Sequence, residues 1–214
     1  MVDDYRRQGA LAHLHLAARV TADPGTAGVW LCARRFRGQV NLRIDPREPA
    51  RVDAAEAVLG VALPRAANTS ARGAGRTVLW LGPDEWLVVL TADEDEDAVA
   101  DALGTALADH HASIVAVGHA RTVIGVAGPR ARDVLAKGCG LDLHPRVFGP
   151  GQCAQTALAR AGIVLHQRDD GPSYDVDCRR SFAPYVWAWL EDAAAEYGVF
   201  SPTRPGNRRR KPRR

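Results

Sequence analysis

The fold of this chain is decided at residues 77–90, which read TVLWLGPDEWLVVL. Two apolar runs flank a central Gly-Pro-Asp, and these three residue types are the ones that tight turns favour. Each run has the length of a strand and is too short for an ordinary helix. The stretch therefore predicts a hairpin-like pair of largely buried strands, with Trp80 and Trp86 in the core.

The same pattern of strands and short helices extends in both directions from this hairpin. The segment 68–76, which is rich in Gly and Ala, reads as a mobile loop. The pattern predicts further strands at 29–36, 39–44, 113–117, 122–127, 155–158, 163–167 and 174–178, and helices at 53–59, 98–108, 129–137 and 183–197. Because the strands come in hairpins and do not alternate singly with helices, the predicted fold class is α+β, with antiparallel sheets and helices packed on one face.

The chain is predicted to have four parts. Residues 1–28 carry little pattern and are expected to form a poorly ordered N-terminal arm. Residues 29–110 and 111–200 are expected to form two α+β sub-domains. Residues 201–214 contain seven basic residues, three prolines and no acid, which predicts a disordered basic tail. Of the 28 basic residues, 21 lie outside this tail, against 25 acidic residues, so the body of the protein is mildly acidic.

The composition excludes several classes of protein. The sequence contains no run of about 18 apolar residues, which is the length needed to span a bilayer. The N-terminal residues make a poor secretory signal. We therefore expect a cytoplasmic protein without membrane contact. The four cysteines form no CxxC pair and match no zinc spacing, and buried free thiols are expected. The basic tail has no interleaved aromatic residues, which disfavours nucleic-acid binding, although salt-dependent binding through the tail is kept as one hypothesis.

The sequence contains no motif for catalysis or cofactor binding. The glycines of Gly73-x-Gly75 precede a strand, so their amides cannot form a phosphate cradle at a helix N-terminus. No Ser or Cys lies in the context of a nucleophile elbow, and His110 and His111 are interpreted as cations at the end of an acidic helix. We therefore expect no catalytic, cofactor-binding or metal-binding residue. An acid–base pair formed only by tertiary contact would leave no such signature.

The last predicted helix contains a candidate contact with a partner protein. Its apolar face is read at the helical period as Phe182, Val186, Trp189, Leu190, Ala193 and Tyr197. Trp187 falls off that face, and an exposed Trp is a typical interface anchor. The hypothesis is that Trp187 contacts a partner chain, and the alternative is a half-buried surface Trp.

Several stretches, taken together and in order, resemble the gamma subunit family of heterotetrameric sarcosine oxidases. The most specific are LWLGPDEWL at 79–87 and RDVLAKGCGLDLHP at 132–145. The others are GQVNLR at 38–43, Leu59-Gly60 with Leu63-Pro64 and Asn68, ART at 120–122, GQCAQT at 151–156 and RSFAPYVWAWL at 180–190. Two features depart from the family pattern, namely Val117-Gly118-His119-Ala120 before the Arg-Thr pair, and the terminal run of arginines.

The resemblance implies a fold related to the folate-binding domain of glycine-cleavage aminomethyltransferases. It also implies an accessory, non-catalytic role in a complex that oxidatively demethylates sarcosine to glycine, with formation of H2O2 and 5,10-methylenetetrahydrofolate. The implied partners are the alpha, beta and delta subunits. FAD, FMN, NAD and tetrahydrofolate are expected in the alpha and beta subunits, zinc in delta, and no cofactor in this chain.

Two further expectations complete the sequence-based interpretation. Arg180, the first residue of the last matching stretch, is predicted together with Trp187 to contact a partner subunit. The alternative function is a stand-alone, folate-binding protein of the aminomethyltransferase type, which would need a carboxylate facing a folate pocket.

Overall fold

The computed structural model describes residues 8–16, 23–34, 36–92 and 94–201, and all structural statements refer to these. The strands are β1 (Val29–Ala33), β2 (Gln39–Ile44), β3 (Ser70–Gly73), β4 (Arg76–Gly82), β5 (Glu85–Val89), β6 (Ala112–Ala116), β7 (Arg121–Ala127), β8 (Cys153–Leu158), β9 (Ala161–Asp169), β10 (Ser173–Arg179) and β11 (Val199–Phe200). The α-helices are α1 (Pro49–Leu59), α2 (Glu96–Ala106), α3 (Ala131–Ala136) and α4 (Ala183–Ala194).

The hairpin predicted from residues 77–90 is confirmed as β4 and β5. The two strands pair antiparallel around the Gly-Pro-Asp turn, with Leu79 opposite Leu87 and Trp80 opposite Trp86. Trp86 is fully buried, and its indole Nε1 donates a hydrogen bond to the Pro64 carbonyl oxygen at 2.9 Å, while Trp80 packs partly buried against the same core. A buried indole thus finds the polar partner that it requires.

Eleven strands form two sheets in the described part of the chain. One sheet has five strands in the order β3-β4-β5-β2-β6, and all of its pairs are antiparallel. The other has six strands in the order β11-β1-β7-β10-β9-β8, antiparallel except for the parallel β1–β11 pair. The predicted α+β class with antiparallel sheets is therefore confirmed. Strand β3 forms where the sequence indicated a mobile loop.

The two sheets exchange strands across the division that was predicted near residue 110. Strand β1, from the first predicted sub-domain, pairs with β7, and β6, from the second, pairs with β2. The division at 110/111 therefore does not separate the two sheets. Periodicity identifies a strand but not its neighbour, because the pairing partner is chosen by tertiary packing.

Each sheet buries one face under helices and turns the other toward its neighbour. In the five-stranded sheet, Leu42 and Val88 pack with α1 and α2. In the six-stranded sheet, Val126 and Val176 pack with α3 and α4. On the opposite faces, a smaller cluster joins Leu79 and Leu87 of one sheet to Cys153 and Val164 of the other. Since successive side chains of a strand point to opposite faces, this alternation places the two sheets against each other.

The structure contradicts the prediction that Trp187 is an exposed partner contact. Trp187 is only 1% exposed and lies in the core under α4, so this prediction is wrong. The buried stripe of the helix is Ala183, Val186, Trp187, Leu190, Ala193 and Ala194. These positions recur at intervals of three and four residues, as one face of a helix does. The sequence-based stripe differs from it at Phe182, which is exposed, and at Trp189 and Tyr197, which are only partly buried.

Nearly all of the predicted basic tail and about half of the predicted N-terminal arm lie outside the described residues. These are residues 1–7, 17–22 and 202–214. Within the described part of the N-terminal segment, Leu11 is buried in the core of the six-stranded sheet. Among the described residues, no helix is both long enough and apolar enough to cross a bilayer.

Candidate functional site

A buried carboxylate, Asp177 of β10, links the two sheets. On this strand Val176 and Cys178 face the helix-covered core, so Asp175 and Asp177 face the other sheet. The Gln39 amide Nε2 donates to one oxygen of Asp177 at 2.8 Å, and Arg121 Nε donates to the other at 2.8 Å. Asp177 is 3% exposed, and this burial raises its pKa to about 6 in spite of the opposing effects of Arg121 and Gln39.

A second buried carboxylate, Glu96, fastens helix α2 to the five-stranded sheet. Its Oε2 accepts hydrogen bonds from the backbone N–H groups of Gln39 and Gly118, each at 2.9 Å. His119 Nε2 lies 3.4 Å from the other carboxylate oxygen. A Cβ atom on residue 118 would lie 2.1 Å from Oε2, so only glycine fits there. The stretch Val117-Gly118-His119-Ala120 thus receives the carboxylate of α2.

A cavity of about 410 Å³ opens between the sheets beside Asp177. Its walls include apolar side chains from both sheets, and two carboxylates, Asp175 and Asp177, also line it. We call it the arginine cleft, after Arg34, Arg37, Arg72, Arg76 and Arg168 in its lining. Because guanidinium groups stay ionised, the cleft carries a surplus of positive charge.

The arginines of the cleft differ in how they are paired. Asp175 lies 3.0 Å from Arg34 Nε and 3.6 Å from Arg168 Nε. Arg76 pairs with Glu94 at 2.6 Å and donates to two carbonyl oxygens at the end of α1. Arg37 and Arg72 have no hydrogen-bond or ion-pair partner within the described ranges. These two side chains are therefore available to an anion.

One serine and one histidine of the cleft region resemble a nucleophile and its base, but their hydrogen bonds serve a structural role. Ser70 Oγ lies 3.1 Å from His166 Nε2, and it donates to the Gly151 carbonyl oxygen at 2.8 Å. With the hydroxyl proton directed at Gly151, the imidazole must donate to Oγ, whereas a general base would have to accept from it. Burial lowers the pKa of His166 to about 4, so the ring is neutral at neutral pH. The contact joins β3 to β9.

The four cysteines are free thiols, and burial disfavours the thiolate form of three of them. Burial raises the pKa of Cys153 to about 11 and that of Cys178 to about 12, and it also raises the pKa of Cys32. Such thiols remain protonated near neutral pH. Within the described residues, no group of three or more His, Cys, Asp or Glu side chains is placed to hold a metal ion.

Arg180 is exposed and lies at the rim of an open groove of about 1020 Å³. Its guanidinium donates to the Gln8 carbonyl oxygen at 2.6 Å. The groove is lined by Val115, which is 48% exposed on β6, and by Leu81, Val117, Pro184, Arg121 and Arg179. A partner contact at Arg180 stays a prediction. The groove places apolar surface beside Arg180, which a partner subunit could cover.

Sequence reasoning missed most of these groups because their partners are far apart in the chain. Gln39 and Arg121 belong to two of the stretches that resemble the gamma subunit family, and both bind Asp177. The alternation Tyr-Asp-Val-Asp-Cys at 174–178 was the one local signal of acids on a single strand face. Nothing local pointed to the contact between Ser70 and His166.

Comparison with known proteins gives one family across most of the chain. A family model described as the sarcosine oxidase, gamma subunit family matches residues 43–196. The sarcosine oxidase subunit gamma of Corynebacterium sp. (strain U-96) is 35% identical over 201 residues, which cover 93% of this chain and 96% of that protein. Similarity of this extent reaches well beyond the short stretches quoted from the sequence.

Solved structures resemble this one as well. A chain of the heterotetrameric sarcosine oxidase from Corynebacterium sp. U-96, in complex with pyrrole 2-carboxylate, superposes with a TM-score of 0.80 at 35% identity, covering 89% of this chain and 96% of that chain. The glycine cleavage system aminomethyltransferase T from Bartonella henselae gives a TM-score of 0.62 at 15% identity, covering 90% of this chain and 58% of that chain. The second likeness shows a common fold.

Proposed function

Because this chain belongs to the sarcosine oxidase gamma subunit family, we propose that it is an accessory, non-catalytic subunit of a heterotetrameric sarcosine oxidase. The observation that carries the proposal is its likeness, over nearly the whole length, to one chain of such an oxidase. The proposed complex oxidatively demethylates sarcosine to glycine and forms H2O2 and 5,10-methylenetetrahydrofolate.

The polar groups between the sheets support an accessory role. Both carboxylate oxygens of Asp177 and one oxygen of Glu96 accept hydrogen bonds from groups of other elements, and Ser70 directs its proton to a backbone carbonyl. The buried thiols of Cys153 and Cys178 are held protonated by their raised pKa values. Such groups hold the two sheets together and are poorly arranged as nucleophiles or bases.

We assign the cofactors of the proposed complex to its other subunits. FAD, FMN, NAD and tetrahydrofolate would be held by the alpha and beta subunits, and zinc by the delta subunit. This chain would contribute a docking surface, for which the groove beside Arg180 is the best candidate. Its exposed Val115 lies on β6, the edge strand of the five-stranded sheet, and the lining of the groove also contains Arg121, Arg179 and Arg180. Apolar centres with arginine nearby are typical of protein interfaces.

Substitution in the groove tests the docking surface. Val115→Asp places a charge in the apolar part of the groove and should remove this chain from the co-expressed, flavin-bearing assembly. Val147→Asp is the matched control, because Val147 is 55% exposed and lies outside the groove. Size-exclusion chromatography with flavin absorbance reports assembly, and circular dichroism reports folding. Equal retention of both variants would contradict the assignment of the groove.

Deletion of the chain tests the accessory role itself. Co-expression of the other subunits without it should give an assembly that is incomplete or loses activity during purification. A fully active and stable oxidase that lacks this chain would contradict the proposal.

The arginine cleft, together with the shared aminomethyltransferase fold, favours one alternative function. The chain would then be a stand-alone folate-binding protein of the aminomethyltransferase type. Direct titration of the isolated chain with tetrahydrofolate separates the two proposals. Tight binding would favour the alternative, and no binding would remove it.

A further inference from the structure

We propose that the arginine cleft binds a small organic dicarboxylate whose apolar body contacts the walls between the two sheets. The site concerns binding alone and includes no reaction step. It does not depend on the accessory role, because a subunit without a reaction centre can still hold a ligand.

The lining of the cleft carries more positive than negative charge. Five guanidinium groups face only two carboxylates in its lining, and one further carboxylate, Glu94, pairs with Arg76. Like charges that share a partly enclosed site repel each other more strongly than they would in water. A concave surface with one sign of charge also concentrates ions of the opposite sign. The cleft is thus arranged to attract an anion.

The cleft already binds one carboxylate of its own chain. Asp175 sits between Arg34 and Arg168, so the chain itself shows how this site binds a carboxylate. Arg37, in the segment before β2, and Arg72, on β3, are left without such a partner in the described part of the chain. A ligand with two carboxylates would give each of them the planar, charge-assisted contact that guanidinium groups favour.

The lining of the cleft suits a carboxylate better than a phosphate. Phosphate sites usually add backbone N–H groups from a helix N-terminus or a glycine-rich nest to their cations. The described lining of the cleft comes from strands and the turns beside them, including the β3–β4 hairpin that contains Gly73 and Gly75. It supplies guanidinium groups and apolar surface, which suit a carboxylate on an organic body.

The apolar walls define the rest of the ligand. Leu79 and Val89 come from the five-stranded sheet, and Val123 and Val164 come from the six-stranded sheet. The volume of about 410 Å³ lies in the range of small-molecule sites. His166 lies in the same cleft and is neutral at neutral pH, so it adds no further charge. A flat or branched hydrocarbon body fits these surroundings better than a fully polar one.

Isophthalate is a suitable probe, and isophthalamide is its neutral counterpart of similar shape. Calorimetric titration of the full-length chain should show that the diacid binds and the diamide does not, and that added salt weakens the binding. Replacing both unpaired arginines, as Arg37→Gln with Arg72→Gln, should weaken the binding by about tenfold or more. Arg160→Gln is the matched control, because Arg160 is exposed and lies outside the cleft. This control should bind isophthalate as the unaltered chain does.

Thermal unfolding is a second measurement, and its result differs according to whether these arginines bind the ligand or only support the structure. Without probe, Arg37→Gln and Arg72→Gln should leave Tm unchanged or raise it, because they relieve repulsion and break no contact. With isophthalate, the rise in Tm seen for the unaltered chain should shrink.

Three results would overturn the inference. They are no binding of isophthalate up to about 10 mM, equal binding of the diacid and the diamide, or equal loss of binding in Arg160→Gln. Binding by the isolated chain that disappears in the assembled oxidase would also overturn it, since the cleft would then be the seat of an acidic segment of a partner subunit.

Discussion

Asp177 is a carboxylate that the protein keeps away from water and between two sheets. Its hydrogen bonds to Gln39 and Arg121 do not fully offset the loss of hydration, which is why its pKa rises to about 6. A carboxyl group with a raised pKa in the folded state contributes stability that is fully present below the unfolded pKa. That stability is lost as the pH rises through the folded pKa.

The resulting prediction concerns Asp177→Asn. The free energy of unfolding of the unaltered chain should fall relative to that of the variant between about pH 4 and pH 6, by up to about 3 kcal/mol. Urea denaturation at several pH values measures this difference. Asp101→Asn, on the exposed face of α2, is the control and should run parallel to the unaltered chain. Parallel curves for Asp177→Asn as well would contradict the argument.

Helix α2 is held to its sheet by the carboxylate of Glu96 in its first turn. The hydrogen bonds to Gln39 and Gly118 depend on a residue without a Cβ at position 118. Gly118→Ala should expel the carboxylate and lower the free energy of unfolding by about 3 kcal/mol. Gly104→Ala lies within α2 itself and has open space around the new methyl group, so it should stabilise the protein by up to about 1 kcal/mol. Chemical denaturation of both variants checks the opposite signs.

Two substitutions in helix α4 test whether Trp187 belongs to the core. Trp187→Ala should lower the free energy of unfolding by about 3–5 kcal/mol, because a large buried side chain leaves a cavity. Tyr185→Ala, on the same helix but 39% exposed, should cost less than about 1 kcal/mol. The comparison uses thermal and urea unfolding of the isolated chain. A small effect at Trp187 would restore the interpretation of that residue as a surface anchor.

At the scale of the whole molecule, two sheets covered by helices on their outer faces leave one polar layer between them. This layer contains Asp177, the contact between Ser70 and His166, and the arginine cleft. The outer edge of the five-stranded sheet offers the groove beside Val115 to a partner. Val115 and Arg180 of the groove lie outside the lining of the arginine cleft, so substitutions there leave the cleft residues unchanged.

The sequence by itself determined the local structure of this protein. Runs of alternating or continuous apolar residues identified the hairpin at 77–90, most other strands and the four helices, because periodicity and turn chemistry act over a few residues. The prediction that Trp187 is exposed was wrong, because α4 carries apolar residues on more than one face and the sequence does not show which of these faces is buried. The sequence also contained no sign of strand β3.

Only the tertiary structure decided which strands are neighbours and which polar groups meet. The partners of Asp177 lie 138 and 56 residues away, and Ser70 lies 96 residues from His166. No local pattern encodes such contacts, because they arise when two sheets pack face to face and bury whichever polar side chains point inward. The arginine cleft arises in the same way, from strands and turns of both sheets that come together only in the folded chain.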